Sequence, residues 1–187
     1  MSLSVRPAWT ADQPYATPSS SVTVSSPSST SSAMPAVTLS TEPFVSPLGR
    51  GKMKIVSGFG KRPVPGDATK TEMHEGIDIA VTPGALVRAS RPGKVLFAGF
   101  SKAYASRADK TDQNHLVIVR HADGMSSRYV HLDSLRVRPM QEVASGQVLG
   151  TASESDEWTA PVLHFEIREA NGKPIDPKPL LVMGPKP

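Results

Sequence analysis

The sequence contains no cysteine. That excludes disulfide scaffolds, cysteine-ligated zinc sites and thiol nucleophiles, and it leaves the redox compartment open. It has no apolar run near the roughly 18–20 residues needed to cross a bilayer, so no transmembrane segment is expected. A net charge excess is almost lacking too. Lys and Arg number 21 against 17 Asp and Glu, and the resulting +4 is too small and too scattered to argue for nucleic-acid binding. The first residues offer Arg6 and then AWTADQPYATP, which has no apolar h-region, so no Sec signal is read there. Finally, no segment shows an apolar stripe of period 3.6. The one candidate for a helical turn is LDSLRVRP at 132–139.

What is present divides at about residue 50. Residues 1–50 hold 26 Ser, Thr or Pro and only four charged residues, Arg6, Asp12, Glu42 and Arg50. Such a segment has too little apolar surface to offset the entropy of ordering it. It reads as a disordered Ser/Thr/Pro-rich tail or tether, with a protein docking segment as the alternative. Residues 51–187 carry the whole +4. They contain short runs rich in Val, Ile and Phe, such as MKIVSGF, GIDIAV, GKVLFAGF, HLVIVRH, SSRYVHL and VLHFEIRE. Turn residues separate them: TPGA at 82–85, RPGK at 91–94, ADG at 122–124 and NGKP at 171–174. Strand-length runs between turns spaced by roughly 8–12 residues predict an all-β domain, a small antiparallel β sandwich or open barrel.

The candidate chemistry lies in five histidines, His74, His115, His121, His131 and His164, together with Asp78 and Glu166. In MHEGIDIA, a spacing of four puts His74 and Asp78 on one side of a strand, and equally on one face of a helix. Gly76 and the alternation Ile77, Ile79, Val81 favour the strand, with the isoleucines inward. In VLHFEIR, Leu163, Phe165 and Ile167 form one face, and Val162, His164, Glu166 and Arg168 the other. If the two strands were neighbours, two imidazoles and one carboxylate would form a three-ligand site with an open fourth position, the pattern of catalytic zinc. Glu166 either supports His164 from behind or pairs with Arg168, and the ion pair is the preferred reading. In SSRYVHL, Tyr129 and His131 share a face; His131 serves as general acid–base, as an oxyanion donor, or simply as a turn residue. His121 beside the ADG turn reads as structural, and His115 as a loop residue.

The ordered set GFGKR (58–62), HEGIDIA, GKVLFAGF, LVIVRHADG, YVHL, LHFEIR and NGKPIDP resembles the lysostaphin-type (LytM-like) zinc metallopeptidases of peptidoglycan. The resemblance runs over about residues 53–181. It implies a small antiparallel β domain with an open metal-binding groove. It also implies one zinc ion held by His74, Asp78 and His164, and an acid–base role for His131. The implied substrate is a cross-bridge or stem peptide of bacterial peptidoglycan, at the cell wall or in the periplasm. Absence of a Sec signal then suggests a virion-associated protein or a shortened chain.

One position departs from the family pattern. The last motif is H-x-H, and its first histidine is replaced here by Val162, which can neither donate a hydrogen bond nor carry a proton. The expectation is a zinc endopeptidase with weakened catalysis. The alternatives are a relative that binds wall peptide or regulates another hydrolase, and a structural part of an envelope-crossing particle such as a phage tail. Two loops are candidate groove walls: 101–115 with Lys102, Tyr104 and Arg107, and 152–160 with Trp158, which lines the groove or covers a core edge.

Overall fold

A computed structural model describes residues 42–51, 53–64, 67–102, 115–153 and 160–182. These fall in one compact unit, Val37–Pro187; a second, Met1–Ala36, lies outside the described residues. The described residues form fourteen strands: β1 (Phe44–Val45), β2 (Ile55–Ser57), β3 (Gly60–Val64), β4 (Asp67–His74), β5 (Ile77–Ala80), β6 (Leu86–Arg88), β7 (Gly93–Phe100), β8 (His115–Arg120), β9 (Ser126–Leu135), β10 (Glu142–Val143), β11 (Val148–Ala152), β12 (Val162–Arg168), β13 (Pro174–Ile175) and β14 (Leu181–Val182). The all-β reading is what the structure shows. Residues Lys178–Leu180 form a short 3₁₀ turn.

The main sheet runs β10-β7-β8-β9-β12-β5-β2, with β11 joining β9 to β6 and β13 extending β12. Its pairings are antiparallel. Two-residue periodicity sets its faces. Ile77, Ile79, Leu163, Phe165 and Ile167 have no exposed surface, and they pack with Val117, Val119, Leu132 and Leu149 into a single core cluster. Each such side chain contributes about 1.5–3 kcal/mol by leaving water.

Three expectations are revised. LDSLRVRP makes no helical turn: Leu132–Leu135 complete β9, because Leu132 faces the core and Gly150 and Thr151 of β11 pair with Leu135 and Ser134. His115 opens β8 rather than lying in a loop, with Nδ1 3.1 Å from the Leu132 carbonyl oxygen. The division at residue 50 falls inside the fold. Phe44, an apolar island amid Ser, Thr and Pro, is 4% exposed, and β1 pairs in parallel with β14. Residues 1–41 of the expected tail lie outside the described residues.

Phe44 seals a buried polar cluster. Its ring meets His121 edge-on at 5.1 Å, and the Arg91 guanidinium lies 5.0 Å above it. His121 donates from Nδ1 to the Pro92 carbonyl (2.8 Å), and its Nε2 lies 3.0 Å from Ser127 Oγ. His121 is therefore structural, as its place beside the turn suggests. Burial pushes its pKa down, against the Pro92 hydrogen bond, which favours the charged ring. The unfolded chain thus takes up a proton more readily than the folded one. The associated stability is complete above the ordinary histidine pKa of about 6.5 and drains away as pH falls from there through the lower folded value. Urea titrations of the wild type and His121→Gln should show the wild type losing more stability between about pH 7.5 and pH 5. Equal losses would contradict a depressed His121.

Candidate metal centre

His74 and Asp78 do not share one strand. β4 ends at His74, the chain turns through Glu75 and Gly76, and Asp78 lies in β5. The imidazole therefore enters from the β3–β4 hairpin and the carboxylate from the main sheet. Gly76 permits that turn for a steric reason. A Cβ there would lie 2.5 Å from the Phe165 carbonyl oxygen and 3.0 Å from both Glu166 Cγ and His164 Cε1. Gly76→Ala should accordingly cost about 1–3 kcal/mol, the range for forcing extra atoms into a packed site. A thermal midpoint within a degree of wild type would contradict this close approach.

β12 supplies the third group. Its antiparallel register with β5 sets His164 opposite Asp78 and Val162 opposite Ala80. His164 Nδ1 lies 2.8 Å from Asp78 Oδ1, His74 Nε2 lies 3.2 Å from the same oxygen, and the two nitrogens are 3.1 Å apart. For comparison, ligands about 2.0–2.1 Å from a tetrahedral zinc stand about 3.3 Å from one another.

The outer atoms of both rings are committed elsewhere. His74 Nδ1 is 2.6 Å from the Gly58 carbonyl, which can only accept, so Nδ1 carries a proton. His164 Nε2 is 3.2 Å from a Glu166 carboxylate oxygen. The inner nitrogens are thus left to face each other and one carboxylate oxygen. Such a cluster needs a positive charge at its centre, either a proton or a cation. The titration shifts agree. Burial disfavours the charge on Asp78, yet hydrogen bonds from His164, His74 and Arg62 hold it far below the usual carboxylate range. Burial likewise opposes charging of His164, and Asp78 and Glu166 outweigh it and raise the imidazole pKa.

Arg62, named only within GFGKR in the sequence reading, holds the other oxygen of Asp78. Its Nη1 donates to Asp78 Oδ2 (2.8 Å) and Ser57 Oγ (2.7 Å), and Nε donates to Glu72 (2.8 Å). Nothing local to GFGKR signals this role: Arg62 lies within β3, where the hairpin pairs it with Glu72, and the β2–β5 register sets Ser57 opposite Asp78. Glu166 has no exposed surface and does both things weighed for it, meeting His164 with one oxygen and Arg168 Nε with the other at 2.7 Å.

His131 lies on β9, with its ring 6.4 Å from that of His164. Its backbone φ of 64° is unusual for a residue with a side chain. The ladders on both sides of β9 slip here: pairing with β8 jumps between Tyr129 and Leu132, and pairing with β11 between Leu132 and Ser134. A bulge of this kind turns a side chain out of the regular alternation, a common device beside active sites. Val162 is half-buried and follows the strand alternation onto the face of His164. Tyr104 and Trp158 lie outside the described residues.

Residues 72–177 match the profile of Peptidase family M23. The chain is 35% identical to the DD-carboxypeptidase/endopeptidase Mpg of Neisseria meningitidis over 66% of its own length and 26% of that protein's. It is 36% identical to the murein hydrolase activator NlpD of Escherichia coli over 56% of its length and 25% of that protein's. It thus spans about a quarter of either relative. Among solved structures it resembles the catalytic domain of the antimicrobial peptidase lysostaphin from Staphylococcus simulans, with 28% identity and a TM-score of 0.55, covering 68% of this chain and 90% of that one.

Proposed function

We infer that this chain, which belongs to peptidase family M23, is a zinc-dependent endopeptidase acting on peptide bonds of bacterial peptidoglycan, with weakened proton-transfer machinery. The observation that carries the reading is the meeting of His74 Nε2 and His164 Nδ1 on one Asp78 oxygen, all three pairs within 3.2 Å. Two imidazoles and one carboxylate, with both rings oriented through their outer nitrogens, fit zinc and leave a position for water or substrate. The ion would supply Lewis-acid activation of water and of the scissile carbonyl.

The remaining tasks fall to the chain. Arg62 fixes the angle of Asp78 and balances its charge. His131, re-aimed by its bulge, moves a proton to or from the reacting atoms or holds the developing oxyanion. Val162 stands where a second imidazole would share that work and contributes only apolar surface. Peptidoglycan as substrate is supported by the motif order and by the likeness to a murein hydrolase activator, and peptide-bond cleavage by the likeness to a DD-carboxypeptidase/endopeptidase. A reaction at the cell wall or in the periplasm fits that substrate.

The test is elemental analysis after zinc reconstitution at neutral pH, together with turnover of purified peptidoglycan. One zinc per chain and slow, chelator-sensitive release of peptides are expected. Absence of stoichiometric zinc would end the reading. A second reading, a wall-peptide binder or hydrolase regulator, is favoured by Val162 and by the likeness to NlpD. It takes over if zinc is bound and no wall peptide is cleaved.

A further inference from the structure

We propose that Glu166 is the positioning residue that fixes which nitrogen of His164 faces the metal centre, so that it sets zinc affinity without touching the ion. This rests on the zinc reading above. An imidazole that binds through Nδ1 must keep its proton on Nε2, and that proton needs an acceptor when the ring is buried. His164 is 8% exposed, and Glu166, with none of its surface exposed, lies 3.2 Å from Nε2.

A fully buried carboxylate would normally be neutralised by protonation. Here two guanidinium groups accompany it: Arg168 Nε lies 2.7 Å from its second oxygen and Arg128 Nη1 3.8 Å from the same atom. Arg168 also pairs through Nη2 with Glu75, the residue after His74. The guanidinium thus joins the β12 residue behind one ligand to the segment that carries another. Burial opposes the charge on Arg168, yet Glu166 and Glu75 raise its pKa above its already high ordinary value, so it stays charged at any working pH. The acceptor behind His164 is therefore held in position by the Arg168 guanidinium.

The test uses the full chain and zinc itself. Zinc dissociation constants are measured by chelator competition for the wild type, Glu166→Gln and Glu166→Leu, with thermal midpoints alongside. Leucine removes the acceptor and should weaken zinc about 10–100-fold, the usual effect of losing such an outer partner. Glutamine keeps an acceptor oxygen and should lose less than about tenfold. In the zinc-loaded wild type, ¹⁵N-resolved NMR should show a protected Nε2–H on His164 that is lost in Glu166→Leu. Equal zinc affinity in all three proteins, or a His164 ring whose Nε2 carries no proton in the loaded wild type, overturns the proposal even if zinc and activity are present. A wild type that binds no zinc overturns the endopeptidase reading and this inference with it. Should Glu166→Leu fail to fold, the Glu166→Gln affinity and the wild-type resonance still decide.

Discussion

Val162→His is expected to raise cleavage of a peptidoglycan peptide by about 10- to 1000-fold, equivalent to roughly 1.4–4 kcal/mol of barrier. Val162 lies two residues before His164 on an unbroken stretch of β12, so both side chains project from the same face. Valine leaves His131 as the imidazole available for proton transfer or for stabilising the oxyanion. An added histidine restores a second donor, whose loss in other enzymes typically costs about 10²–10⁴ in rate. Combining Val162→His with His131→Ala should erase the gain, because both groups serve one transition state and their effects do not add. Initial rates of peptide release at saturating zinc decide the matter. A wild type as fast as Val162→His would mean that another residue already fills the role, and Tyr104 and His115 are then the ones to replace.

The larger effect is expected at the ligands. His164→Ala should abolish stoichiometric zinc binding and reduce hydrolysis by about 10³-fold or more, since Lewis-acid stabilisation worth several kcal/mol disappears. It also leaves Asp78 and Glu166, two anions formerly bridged by one imidazole, facing a gap. The same substitution should therefore lower the thermal midpoint of the metal-free protein, which separates loss of the ring from loss of the ion. Metal content, rate and midpoint measured on one preparation give all three. Retention of one zinc per chain in His164→Ala would remove His164 from the donor set.

The core strands were legible because they follow from period-two alternation, whereas the meeting of His74, Asp78 and His164 was legible through the resemblance of motif order, since alternation leaves open which strands are neighbours. Ile77 and Ile79 alternate with Asp78, and Leu163, Phe165 and Ile167 alternate with His164 and Glu166. What alternation cannot reveal is where a strand stops. His74 and Asp78 satisfy the same spacing whether one strand carries them or two, and at the break a Cβ on Gly76 would come within 2.5 Å of the Phe165 carbonyl oxygen, a closeness that spacing does not show. The His131 bulge was equally invisible, because a left-handed histidine has no sequence signature comparable to glycine. Arg62 was hidden because its partners Glu72 and Asp78 reach it only through hairpin pairing and sheet register. At Leu132–Leu135 local composition suggested a turn of helix, and pairing with β11 overrode it.

The pairing of β1 with β14 also has a mechanical meaning. The two strands run parallel, Phe44 beside Leu181 and Val45 beside Val182. Tension applied through the chain before Phe44 and after Val182 therefore slides them along each other and loads their hydrogen bonds together rather than one at a time. Behind β1 the pull is shared by two further bonds, Val45 N–H to the Ser90 carbonyl (2.7 Å) and Arg88 N–H to the Pro47 carbonyl (2.8 Å), and by the Phe44 ring seated under Arg91. These contacts form a shear clamp on chain segments that carry no metal ligand. A domain stretched from its flanks would resist at this clamp first, before β5 and β12 were drawn apart and Asp78 lost its two histidines.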